Sequence, residues 1–414
     1  MIIKNIRVID PESETDEIKD VYVLNGIITT KEAYEADNDR DNEELIDGTG
    51  LIMGPGFVDV HVHFRDPGQE YKEDIHTGAA AAVRGGYTSV VMMANTNPSI
   101  DNEETLREVL DKGEKEPLNI YTCAAVTKGL KGEEMTDFEG LMRAGAVGFT
   151  DDGKPVLDEN LLEEAFLEAA RLDMPVSLHE EDPKYIISNG NDDTSPRQAE
   201  ISMIKRDLEL ADKTGVKLNI QHISSKEGVE LVKEAKKHNC NIHAEATPHH
   251  MAFTKSALLQ YGTCAKMNPP LREEEDREAI WEGICDGTID IIATDHAPHS
   301  EEEKARDFKD APSGIIGLET AFCVVNTVLV KKDIIDYMKM FTLMSLNPAR
   351  LYKLDAGSLK VGKRADMVII NPDLQTIFDN FKSKSRNSPF LGAVLCGRIV
   401  YTICEGNIVY SDKE

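Results

Sequence analysis

Between residues 57 and 294 short apolar, β-branched runs alternate with amphipathic segments of helix length. The apolar runs are 57–62, 88–93, 119–125, 146–150, 174–179, 216–222, 240–246 and 289–294. Helical spacing fills the gaps, for example over 75–84, 103–111, 160–171, 198–213 and 226–237, and a last helix near 316–330 follows the eighth run. Alternation of this kind specifies a parallel sheet, because parallel neighbours need a crossover between them. Eight strand-then-helix units are what an α/β (β/α)8 TIM barrel requires. An open doubly wound sheet is the competing arrangement; the count of eight and the placing of the polar residues favour the barrel.

A barrel of this type takes ~250 residues, and the chain has 414. The remainder falls at the two ends. Residues 1–53 carry short alternating runs at 2–9, 20–24, 26–29 and 44–46, with an acidic stretch at 33–44 that reads as an exposed loop. After residue 350 short strands return at 367–370, 391–394, 399–403 and 408–410. The expectation is one small composite β-sandwich domain built from 1–53 and 351–414, with the barrel, 54–350, inserted between its halves.

Chemistry in such barrels sits at the carboxyl-terminal ends of the strands. The first strand ends in His61 and His63, which, two apart, project from one face. Alone they would pass for polar strand-end residues. The second strand is followed by Asn95, the fourth by Asp151 and Asp152, and the fifth ends in His179 ahead of Glu180 and Glu181. The sixth ends in Gln221-His222, the seventh leads to His249 and His250, and the eighth ends in Asp295 with His299 beyond. Of eleven histidines, seven therefore fall at or just past strand ends. His76 and His238 read as helix-surface residues, His243 as packing, His296 as facing away, and His249 and His250 as loop or supporting residues. Four histidines and two carboxylates at one barrel mouth form a binuclear metal constellation. Nitrogen and oxygen donors of this kind suit zinc best, then manganese, cobalt or iron. A fourth-strand carboxylate could bridge two metals, and a hydroxide held between them would be a nucleophile at neutral pH.

The formal net charge of -29 argues against nucleic acid and anionic membrane surfaces as partners. Any anionic substrate must then be drawn by something locally positive, a metal or a placed arginine. The seven cysteines form no Cys-X-X-Cys pair and read as reduced thiols. The first residues lack a basic segment followed by an apolar core, and no apolar run approaches ~18 residues. A cytoplasmic protein is expected.

The stretches His61-Val-His-Phe-Arg-Asp-Pro-Gly68, Asn95-Thr-Asn-Pro98, Phe149-Thr-Asp-Asp-Gly153, His179-Glu180, Gln221-His222, Lys266-Met-Asn-Pro-Pro-Leu-Arg272 and Thr294-Asp-His-Ala-Pro-His299 resemble the amidohydrolase superfamily, and in particular class I dihydroorotases. The resemblance covers nearly the whole chain. It implies that His61, His63 and Asp295 bind one zinc ion and His179 and His222 a second, with Asp152 as the bridge. Relatives such as hydantoinases and allantoinases bridge with a carboxylated lysine instead; Lys154 lies nearby but past the turn. The resemblance also implies substrate contacts from Arg65, Asn95, Asn268 and His299, and from the Ser313-Gly314 pair. Arg65 offers a bidentate fork for a carboxylate. Many relatives have an aromatic where this chain has Ser313, so cover over the substrate ring is expected to differ.

The implied activity is the reversible cyclisation of N-carbamoyl-L-aspartate to dihydroorotate in pyrimidine synthesis, with Asp295 as general acid and base. Two other readings are a related cyclic amidase and a non-catalytic barrel that partners an aspartate carbamoyltransferase. A homodimer and an association with that transferase are both compatible with the resemblance.

Overall fold

The computed structural model describes residues 1–37, 44–188 and 195–412. Five strands come first: β1 (Ile2–Asp10), β2 (Thr15–Leu24), β3 (Ile27–Thr29), β4 (Leu45–Asp47) and β5 (Ile52–Pro55). β1 lies between β2, antiparallel, and β4 and β5, both parallel to it. Part of the stretch expected to be a loop is instead a helix, Lys31–Ala36. Thr30 caps it, its hydroxyl accepting from the Ala33 amide at 3.2 Å. Tyr34 fixes it by burying its ring 5.5 Å from that of Tyr22. The rest of that expected loop, 38–43, lies outside the described residues.

The barrel strands follow: β6 (Phe57–Val62), β7 (Tyr87–Met92), β8 (Asn119–Thr122), β9 (Pro175–Leu178), β10 (Lys217–Ile220), β11 (Ile242–Ala246) and β12 (Ile291–Ile292). β6, β7 and β8 pair in parallel, as do β9 to β12. Residues 147–150 fill the fourth place as a bridge between the two groups. Val147 N donates to Thr122 O at 3.1 Å on one side, and Phe149 N to Pro175 O at 3.0 Å on the other. The circle closes where His63 N donates to His296 O at 2.9 Å. Just below, the buried Asp59 carboxylate accepts from the amides of His61 (3.1 Å) and Thr294 (3.2 Å), stapling the first strand to the eighth. Desolvation pushes the Asp59 pKa up to about 7.

From β8 onward the observed strands are shorter than the apolar runs, because the last residues of several runs leave the ladder. One departure decides the site. Val58 and Val60 pack inside the barrel with Val91, Met93, Ile291 and Ala293, so strict alternation would turn His61 outward. The β6–β7 register shifts between Asp59 and Val62. This bulge re-aims the strand end so that His61 and His63 both face inward.

Three strands return to the first sheet: β13 (Met367–Ile377), β14 (Val394–Cys404) and β15 (Asn407–Ser411). The sheet order is β15-β14-β13-β5-β1-β2-β3, with β4 on β1. Residues from both chain ends, among them Ile3, Val23, Met53, Met367 and Ile403, share its buried core. The expected strand at 391–394 is a turn, with Gly392 N donating to Phe378 O, and pairing starts only at Val394. Gly54 and Pro55, expected at the start of the barrel, pair with β13. No described helix is long and apolar enough to cross a membrane.

Phe57 links the barrel wall to the helices that follow the eighth strand. Its ring is fully buried, with Tyr87, Phe322 and Phe341 at centroid distances of 5.7, 6.0 and 5.7 Å. Phe57→Ala is expected to destabilise the barrel by ~3–5 kcal/mol. Chemical denaturation checks this, and a loss below ~1 kcal/mol would show that the cluster does not carry the wall.

Candidate active site

Six side chains from five strand ends meet at the barrel mouth: His61, His63, Asp152, His179, His222 and Asp295, all buried. His61 Nε2 is 3.3 Å from Asp152 Oδ1 and 3.5 Å from Asp295 Oδ1. His63 Nε2 is 3.1 Å from Asp295 Oδ1 and 3.5 Å from Asp152 Oδ2. His222 Nε2 and His179 Nδ1 lie 3.9 and 4.0 Å from Asp152 Oδ1, and 3.1 Å from each other. Two sets offer ligand atoms within 4.8 Å of one another: His61, His63 and Asp295, and His61, Asp152 and His222.

The tautomers decide whether these residues fit a metal. His61 Nδ1 donates to Glu245 Oε2 at 3.0 Å, His63 Nδ1 to Asn95 Oδ1 at 2.9 Å, and His179 Nε2 to Glu181 Oε2 at 2.9 Å. Each acceptor holds the proton on the outer nitrogen and leaves the inner lone pair facing the carboxylates. Buried His61 Nε2 has no hydrogen-bond partner among the described residues. Imidazole lone pairs and two carboxylates converging in a water-poor pocket are the donor set of a divalent transition metal.

Electrostatics in the cluster are mutual. Burial alone would raise the Asp152 pKa, but His61, His63 and His179 outweigh it and hold the carboxyl well below its usual range. Burial would lower His61, yet Asp152 and Glu245 push its pKa well above the usual range, so a metal binding there would displace a proton from the inner nitrogen. Burial, with His179 and His61 nearby, takes His222 well down. Backbone conformation adds aim: Arg65, His222 and Asp295 all adopt positive φ, at 60, 33 and 49°. Left-handed non-glycine residues of this kind cost ~1–3 kcal/mol each and cluster where side-chain direction matters.

Asp151 and Asp152 part company. The Asp151 carboxylate binds the Thr127 amide at 3.0 Å and its hydroxyl, and burial raises its pKa to about 6. Asp152 alone reaches the histidines. Lys154 is on the rim. His243 pairs with Asp290 at 2.7 Å, and His250 Nε2 donates to Pro269 O at 3.0 Å, supporting the loop of Asn268. His296 accepts from the Gly317 amide at 3.2 Å, away from the cluster.

A cavity of about 540 Å³ opens above the cluster, and Arg65, Asn95, Asn268, His299, Ser313 and Gly314 all line it. Arg65 makes one hydrogen bond, Nε to Pro298 O at 3.3 Å, so its terminal nitrogens have no partner among the described residues. His299 Nε2 donates to Ser313 O at 2.8 Å. Burial, with Arg65, Lys72 and Lys304 close by, lowers its pKa to about 2, so the ring is neutral. Ser313 thus enters the wall through its carbonyl. Gly314 has φ 125°, and a Cβ there would sit 2.7 Å from Ala297 Cβ and 3.1 Å from His299 Nε2. Asn95 departs from a pure substrate contact: its Oδ1 is taken by His63 and its Nδ2 by Asp152 Oδ2 at 2.9 Å.

Glu245 and Lys304 went unnoticed in the sequence. Glu245 left a signal, a carboxylate near the end of the seventh strand run. Lys304 left none. Its buried ammonium donates to Pro312 O and Gly314 O, both at 2.9 Å, holding the loop of Ser313 in place.

The match to known proteins agrees with this geometry. The amidohydrolase family model matches residues 52–409, and the chain belongs to that family. Among curated relatives, the dihydroorotase of Clostridioides difficile (strain 630) is 49% identical over 99% of this chain and 100% of its own length. The dihydroorotase of Clostridium acetobutylicum is 48% identical, with both chains covered completely. Of solved structures, the L-hydantoinase (dihydropyrimidinase) from Arthrobacter aurescens superposes with a TM-score of 0.89 at 26% identity, covering 100% of this chain and 96% of that one.

Glu245→Ala removes the acceptor that fixes the His61 tautomer. Metal affinity is expected to fall 10–100-fold, read by competition with a chelator. Unchanged affinity would mean that His61 needs no such partner.

Proposed function

We propose that the chain is a dihydroorotase, interconverting dihydroorotate and N-carbamoyl-L-aspartate in pyrimidine synthesis. The observation that carries this is Arg65: a guanidinium whose terminal nitrogens have no partner among the described residues, in the wall of a cavity whose floor is the imidazole and carboxylate cluster. Full-length similarity to dihydroorotases at nearly half identity supports the same reading.

His61, His63, Asp152, His179, His222 and Asp295 would hold the metal, which we read as two zinc ions. Bound there, zinc polarises a carbonyl and lowers the pKa of water to near neutrality. The chain's residues supply the rest. Arg65 clamps the substrate carboxylate with a two-pronged, charge-assisted pair. The neutral His299, Asn268 and the Ser313-Gly314 backbone fit against the ring and fix which carbonyl faces the cluster. Asp295 takes the proton from the attacking water at its carboxylate. It then delivers that proton to the ring nitrogen as the carbonyl carbon–nitrogen bond breaks. Ring closure runs the same transfers in reverse. A cytoplasmic setting is consistent with seven cysteines that are all unpaired thiols.

Hydantoinases take rings that lack the carboxylate, and Arg65 separates the two readings. Arg65→Met is expected to lower kcat/KM for dihydroorotate ~10–100-fold and to leave an uncharged cyclic amide nearly unaffected. Equal effects on both substrates would favour the hydantoinase reading. The direction of the reaction gives a second check. The open product carries one more carboxylate than the ring, so closure takes up one proton. Above pH 6 the equilibrium ratio of open to ring form should rise about tenfold per pH unit. A ratio that stays flat from pH 6 to 9, measured from either direction, would exclude this chemistry.

A further inference from the structure

Residues 378–393 join β13 to β14 and cross the loops that follow the first and eighth barrel strands. The barrel grips this strap closely. Lys382 and Ser383 amides donate to the Glu319 carboxylate at 2.8 and 3.1 Å, the Lys384 amide to Glu73 at 3.1 Å, and Ser385 Oγ to Lys72 O at 2.7 Å. Those bonds hold the strap. Asn387 does something else. Its buried side chain makes no bond within the strap and spends its whole amide on residues that line the cavity. Oδ1 accepts from the His299 amide at 3.1 Å, and Nδ2 donates to Ala297 O at 3.0 Å and Gly314 O at 3.1 Å. Its own carbonyl accepts from the Ile316 amide at 3.0 Å.

Ala297, His299 and Gly314 all face the cavity, and they come from two separate segments, one leaving the eighth strand and one returning after the loop that Lys304 holds. The packing between those segments is tight enough to exclude even a Cβ at Gly314. A shift of either segment by a fraction of an ångström would therefore change the gap between His299 and the Ser313-Gly314 backbone. Asn387 bonds to both segments at once, beside the direct bond of the Ala297 amide to Ile315 O at 2.7 Å.

We propose that Asn387 is a positioning residue, supplied by the β unit, that sets the substrate wall for the dihydroorotase reaction assigned above. It touches no reacting atom and acts through His299 and Gly314. It should therefore govern ring binding more than turnover, and leave the metal end alone.

The test is steady-state kinetics with dihydroorotate on the metal-loaded full chain, with metal content measured on each sample. Asn387→Ala is expected to raise KM about tenfold with kcat within about threefold, as for lost binding that is equal in ground and transition state. Metal content should match the unsubstituted protein. Asn387→Gln carries the same amide and should recover part of the KM. Ser383→Ala removes a strap anchor on Glu73 but bonds to no wall residue, and should keep the original KM. An unchanged KM in Asn387→Ala, or an equal rise in Ser383→Ala, would overturn the proposal. If Asn387→Ala does not fold, hydrogen exchange on Asn387→Gln decides. Faster exchange at the His299 and Ile316 amides with the β13–β14 ladder still protected supports it, and loss spread evenly through the ladder refutes it. Should the unsubstituted protein fail to turn over dihydroorotate, the functional reading falls, and the same exchange experiment still settles what Asn387 does.

Discussion

Asp152 is a buried carboxylate facing four imidazoles, and the barrel must be closed for that to be affordable. A carboxylate removed from water is strongly disfavoured unless opposite charge and hydrogen bonds replace its hydration. Here the imidazoles come from three strand ends and the amide of Asn95 from a fourth, so no local segment could supply the compensation. The circle has to be complete, which makes the Asp59 staple between the first and eighth strands part of the chemistry as well as the fold. The outward-facing hydrogen bonds of His61, His63 and His179 complete the arrangement by fixing where each lone pair points. What the six residues share is less a binding motif than a single electrostatic balance that a divalent cation would neutralise.

Much of this was legible in the sequence. The alternation of strand and helix patterns specified the barrel, and the polar residues at strand ends named the cluster without any geometry. What was not legible falls into two physical kinds. The inward aim of His61 depends on a bulge, and alternation by itself predicts the wrong face from Val58 and Val60. The resemblance favours Asp152 over Asp151, but the physical reason is where Thr127 lies, a contact between residues 24 apart that no local pattern encodes. Sequence spacing locates strand ends well, and side-chain direction at those ends is set by tertiary contacts.

The cavity has two ends of opposite character. At the floor, carboxylates and imidazoles are matched to a cation. At the wall, Arg65, Lys72 and Lys304 surround a histidine that they and burial keep neutral. A chain with a net charge of -29 repels anions at long range, so attraction has to be built at short range, where screening by salt is weak and water is largely excluded. Lys304 contributes through structure as well as charge, its ammonium bound to the carbonyls of the loop it stiffens. The aromatic cover expected of relatives is absent at Ser313, and the backbone carbonyl of that residue, bonded to His299, takes part in the wall instead.

This arrangement gives a reason for the β unit. A barrel alone provides strand ends, but the loops beyond them are held only by what packs on them. The wall built from Ala297, His299 and Gly314 lies beyond the ends of the strands, outside the ladder that fixes the ligands. Its bonding partners come from Lys304 within the barrel and from Asn387 on the strap between β13 and β14. Because β13 also pairs with β5, which leads directly into the first barrel strand, the strap and the His61–His63 strand end are both rooted in the same sheet. Substrate wall and ligand floor are therefore referenced to one rigid element, even though Asn387 and the His61–His63 strand end lie more than 300 residues apart in the chain. An insertion of a barrel between the two halves of a sheet achieves this, and a sheet appended at one end would leave the floor and the wall to be aligned by the barrel alone.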